Sequence, residues 1–135
     1  MRRDILMRWL TGIVLYLLSM QLAMADTTEK LITLTIDLQH GFRGQSVTVQ
    51  MDGRDVVKSE AVTTDPSMGF AKRYTYKTRA GQKKLEISVV DGSKKKYLKQ
   101  ELIVEADIFI GIQYLQFLEE KDIALTLSRR SFIYD

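Results

Sequence analysis

From Lys30 onward the chain changes character at every second residue, which is the period of a β-strand and not of a helix. Ile32, Leu34, Ile36 and Leu38 share one face, with Thr33, Thr35 and Asp37 on the other. Val47, Val49 and Met51 repeat the pattern around Thr48 and Gln50. Asp52-Gly53 then supplies the two positive-φ positions of a tight hairpin, so Val56 to Thr63 is expected to return beside the preceding strand. Thr64 to Gly69, which holds the single proline, reads as a loop. Beyond it come three apolar sets: Phe70, Tyr74 and Tyr76; Leu85, Ile87 and Val89; Leu98, Leu102 and Val104. Turns at Ala80-Gly81-Gln82 and Asp91-Gly92-Ser93 separate them. Ile123, Leu125 and Leu127 resume the alternation, and Phe132 and Tyr134 close the chain. About seven to eight short strands without a convincing amphipathic helix predict an all-β fold, an antiparallel β-sandwich in which sequence neighbours pair.

One segment breaks the alternation. Ile108 to Leu118 is apolar at nearly every position. A helix is its main rival reading, but the isoleucines, the aromatics and the lone Gly111 fit a strand better. A strand of a two-layer sandwich meets the core with one face only, so something must cover the other. Ser131 to Asp135, a second copy of the chain or a partner could do so. Ile108, Ile110, Ile112 and Tyr114 are therefore a candidate interface.

The N-terminal residues have a different composition. Arg2, Arg3 and Arg8 precede an uncharged run from Trp9 to Met20, which ends at Ala23-Met24-Ala25. A basic start, a short apolar stretch and a small-x-small site describe a secretory signal peptide over residues 1–25, with one β-sandwich domain over 26–135. Gln21 interrupts the apolar run before the roughly 20 residues a spanning helix needs. The expected location is periplasmic or secreted, with membrane-surface contact allowed and spanning not expected. The whole chain carries +3, but three arginines and one aspartate of the first 25 residues account for +2, leaving +1. A balance so close to neutral does not point to nucleic acid. The chain has no cysteine, so no disulfide supports the fold and no lipid can be attached at a cleavage-site cysteine.

Val47 to Arg54, followed by Pro66 to Ala71 and by Ala80-Gly81 before Leu85 to Val89, resembles the transthyretin-like or carboxypeptidase-regulatory-like sandwiches of exported bacterial proteins. The resemblance covers Gln45 to Asp91 and implies a binding or spacer module more often than an enzyme. One enzymatic branch of these sandwiches hydrolyses a purine-derived ring with several histidines, arginines and a terminal Tyr-Arg-Gly-Ser motif. Here the chain ends Arg129 to Asp135 and has one histidine, so it departs from that pattern.

That histidine, His40, has no second base, nucleophile or ligand-type neighbour in its loop. Asp52, Asp55, Asp65 and Asp91 sit at turns where aspartate is favoured for its backbone hydrogen bonds, and they form no calcium loop. No catalytic residue, metal or cofactor is expected. Lys83, Lys84, Lys94, Lys95, Lys96 and Lys99 flank one hairpin and form a candidate anionic-contact patch, against the plainer reading of a lysine-defended edge. Tyr74, Tyr76, Tyr97 and Tyr114 are candidate sugar platforms. The sequence thus favours a non-enzymatic exported interaction or accessory module that recognises another envelope protein. A glycan- or lipid-binding domain is the alternative, and a hydrolase comes third.

Overall fold

A computed structural model describes residues 30–134. The expected signal peptide lies outside them. The alternating segments form eight strands: β1 (Leu31–Leu38), β2 (Arg43–Met51), β3 (Arg54–Thr63), β4 (Lys72–Arg79), β5 (Gly81–Asp91), β6 (Lys94–Val104), β7 (Ile108–Phe117) and β8 (Glu120–Ser128). They build two four-stranded sheets, ordered β4-β1-β7-β8 and β3-β2-β5-β6. The all-β sandwich expected from the period-two pattern is what the chain forms.

Turn chemistry accounts for the three hairpins. Asp52 and Gly53 both have positive φ, at 51° and 80°, which is the two-residue connection that matches strand twist between β2 and β3. Gly92 at φ 61° opens the β5–β6 turn. The β7–β8 turn places Leu118 at φ 53°, in a conformation usually reserved for glycine. The remaining connections carry the chain from one sheet to the other, so β1 pairs with β4 and β7 rather than with its sequence neighbour β2. The β1–β7 pair is parallel, with Leu34 opposite Ile108 and Leu38 opposite Ile112, a departure from the purely antiparallel expectation.

Each strand turns one alternate set inward. Leu34, Ile36 and Leu38 of β1 meet Val47 and Val49 of β2 and Leu85, Ile87 and Val89 of β5 in one core cluster. The same cluster takes Ile110, Ile112 and Tyr114 of β7, with Ile108 half-buried against it. This corrects the expected interface. Those residues are the core-facing set of a central strand, so no partner can reach Ile110, Ile112 or Tyr114 from outside. The second face of β7 carries Phe109, Gln113 and Leu115, all half-buried. The chain covers it in part with its own C-terminal residues, as Phe132 meets Phe109 edge-on with centroids 6.5 Å apart.

Candidate functional site

The β5–β6 and β7–β8 turns lie at the same end of the sandwich and enclose a cleft of about 560 Å³. Its floor is Tyr114, whose alternate position on β7 buries the ring while the hydroxyl reaches the end of β5 and donates to Asp91 Oδ2 at 3.0 Å. Burial, then that hydrogen bond, pushes the Tyr114 phenol up to about 12. Lys121 holds its ammonium 5.5 Å from the centre of the Tyr114 ring. Across the open edge between the sheets, Lys96 of β6 donates to Glu120 of β8 at 3.1 Å. The walls are thus of mixed sign, with Lys94 and Lys95 on one side and Glu119 on the other.

Beside the cleft stands the β7–β8 tip. Leu118 is 100 % exposed and Phe117 is 50 % exposed. A leucine held in the left-handed region costs about 1–2 kcal/mol relative to its ordinary conformation. Full exposure means that no burial in the folded monomer offsets this. Two unfavourable features coincide at one residue, a combination common at contact sites. The sequence reading missed the tip because it took Leu118 as the end of the β7 strand. The charged run that follows, Glu119 to Asp122, marks the break, but nothing in it shows that Leu118 itself takes the left-handed turn position.

The lysine patch is divided. Register places Lys94 opposite Asp91 beside the turn, whereas Lys83 and Lys84 lie opposite Leu102 and Glu101 at the open end of the hairpin. Eight residues along β5 separate Lys83 from the position opposite Lys94, roughly 26 Å at the usual rise per strand residue, with Lys99 and Lys96 opposite Glu86 and Val89 between them. Four of the six lysines also have carboxylate partners. Lys83 meets Asp52 at 3.6 Å, Lys84 and Lys99 share Glu86 at 3.6 and 3.9 Å, and Lys96 meets Glu120. The single anionic-contact patch over all six is therefore corrected to lysines strung along the whole hairpin, most of them partnered. Lys94 and Lys95 are the pair without a carboxylate partner among the described residues.

A second polar cluster lies on the outer face of the β4-β1-β7-β8 sheet. Asp37 is 0 % exposed, and both of its oxygens receive Arg73, from Nε at 2.7 Å and from a terminal nitrogen at 2.8 Å. That pairing raises the guanidinium above its ordinary value. Tyr134 donates to Asp37 Oδ2 at 2.6 Å and accepts from Gln39 Nε2 at 2.8 Å, and Gln113 Nε2 donates to Gln39 Oε1 at 2.8 Å. Burial, then Asp37, pushes the Tyr134 phenol up to about 12. Gly111 leaves room for this chain of bonds, since a Cβ there would lie 2.6 Å from the Gln39 amide. Phe70 packs on the Tyr134 ring at 4.9 Å. No buried side-chain polar atom among the described residues lacks a hydrogen-bond partner, and the network ties Tyr134 of the C-terminal residues to the sheet as a latch.

The other candidates have plain positions. His40 is exposed, and its backbone carbonyl accepts the Tyr114 N–H at 2.9 Å. Tyr74 and Tyr76 pack against the core, while Tyr97 is 63 % exposed on the outer face of the other sheet with Lys95 above its ring at 4.9 Å.

No protein-family model matches this sequence. No curated protein matches it either. Among solved structures, the chain is similar to a "putative cell adhesion protein" from Bacteroides ovatus, at 11 % identity and a TM-score of 0.44, covering 78 % of this chain and 46 % of that one. The chain therefore spans about half the length of that protein.

Proposed function

We propose that this domain is a non-enzymatic interaction module, exported from the cytoplasm, which recognises another envelope protein through the β7–β8 tip. The observation that carries the reading is Leu118, fully exposed and held at φ 53°. With Phe117 it forms an apolar knob suited to a pocket in a partner, and the mixed charges of the adjacent cleft suit the polar rim of such a contact. Export rests on the secretory pattern of residues 1–25. We also read the sandwich as transthyretin-like, because the Asp52-Gly53 hairpin and the Pro66 loop fall between strands and the Ala80-Gly81 turn falls at the β4–β5 junction, as that resemblance requires.

A photo-crosslinking residue placed at 118 should yield a discrete adduct with an envelope protein in cells, whereas the same residue at exposed Glu60 on β3 should not. Adducts at both positions, or at neither, would remove the tip from the reading. A second reading, glycan binding, is favoured by Tyr97, whose exposed ring lies beside Thr48, Gln50 and Ser88 in a shallow depression of about 400 Å³. Loss of retention on a glycan array in Tyr97→Ala, with the tip intact, would select it.

A further inference from the structure

At the end of the sandwich opposite the tip, a cleft of about 610 Å³ opens between the β2–β3 turn, the end of β4 and the start of β5. Three strands deliver four cations to it: Arg54 from β3, Lys77 and Arg79 from β4, and Lys83 from β5. Asp52 is the one carboxylate in the lining. It is already engaged, because its Oδ1 accepts the Lys84 backbone N–H at 2.8 Å and its Oδ2 lies 3.6 Å from Lys83 Nζ. The Lys83 side chain is only 11 % exposed, so its ammonium is withdrawn from water with a single distant partner. Arg54, Lys77 and Arg79 form no ion pair with any described carboxylate. Elsewhere on the same hairpin Lys84, Lys96 and Lys99 each have a carboxylate partner, whereas three of the four cations here have none.

We infer that this cleft is a binding site for a ligand carrying two phosphate groups. Four cations lining one cleft against one occupied carboxylate make its potential positive, and a multiply charged anion is drawn to it. Two guanidiniums present five N–H donors each and two ammoniums three each, which is more than the two oxygens of a carboxylate can accept and suits the oxygens of linked phosphates. The volume lies within the ordinary range for small-molecule sites and exceeds what a bare diphosphate fills. The remaining lining, Leu31, Met51 and Tyr76, offers apolar contact to whatever the phosphates are attached to. The sequence pattern hides the site because its residues come from three strands and only Lys83 belongs to a visible cluster.

Calorimetric titration of the purified protein with inorganic pyrophosphate should show saturable binding that weakens with added salt. Arg54→Gln and Arg79→Gln should each lower the affinity about tenfold or more, the loss expected for a charge-assisted hydrogen bond. Lys99→Gln, on the outer face of β6, should leave it unchanged, and circular dichroism checks that each variant is folded. Vesicles containing cardiolipin, whose headgroup carries two phosphates, compared with phosphatidylcholine alone, separate a lipid source from a soluble one: retention on the former without pyrophosphate binding assigns the headgroup. Binding to neither probe, or binding that survives both arginine substitutions, overturns the proposal.

Discussion

At Gly41 the main chain turns through φ +90° while passing so close to β7 that a Cβ would lie 1.7 Å from the Tyr114 carbonyl oxygen. Both partners in that clash are backbone, so neither can rotate away. The loop that Gly41 permits lets Gln39 donate its N–H to Ile112 O at 2.7 Å and lets His40 accept from Tyr114. Gly41→Ala should therefore cost about 3 kcal/mol or more, while Gly92→Ala should cost only about 1 kcal/mol. The second site also has positive φ, at 61°, but faces open space. Urea unfolding midpoints of the two variants test the contrast. Tyr114 and Tyr134 set an alkaline limit. Below pH 10 both phenols are neutral in the folded and unfolded chain, so their contribution to stability is fully present. Between pH 10 and about 12 the unfolded chain loses these protons while the folded protein keeps them, and stability falls. Phe at both positions should flatten that fall, as read from unfolding midpoints across this range.

Residues 129–134 are held in a different manner from the strands. None of them makes a backbone–backbone hydrogen bond with a described residue. Phe132 and Tyr134 face the sheet through ring contacts and the Asp37 hydrogen bond, while Ile133 between them is exposed. Such a segment opens locally without unfolding the domain. Trypsin should cut native protein first after Arg129 or Arg130, and Tyr134→Phe should speed that cut about tenfold, since it removes the acceptor of the Gln39 amide and one of the two donors to Asp37 Oδ2. Mass spectrometry of a digestion time course reads both outcomes. This latch was not legible in the sequence. Phe132 and Tyr134 show the strand period, but nothing local announces that they have no strand to pair with, or that Asp37 waits for them buried on an outer face. The hairpins, by contrast, were legible because their turns are written in adjacent residues. Counting outward from Asp91-Gly92-Ser93 would also have separated Lys83 and Lys84 from Lys94 to Lys96.

Across the whole molecule, the alternation of face revealed eight strands and most of the core, because which side a residue takes is decided by its immediate neighbours. Which sheet a strand joins is decided by residues far away, and that is where the purely antiparallel reading failed and the β7 interface was misplaced. The two clefts share this non-local origin, since each gathers side chains from strands that the sequence keeps apart. The parallel β1–β7 pair has a further consequence, for the order of folding. Thr33 donates its backbone N–H to Asp107 Oδ1 across 74 residues, at the start of the same parallel seam. Any chain that ends before Ile108 leaves β1, an apolar strand of 8 residues, with one edge unpaired. Pairings so distant in sequence form slowly, because the loop between them must be ordered before any contact rewards it. The parallel seam therefore closes only after β7 has been made. Until β7 is in place, β1 keeps an open edge onto which a strand of another chain could add.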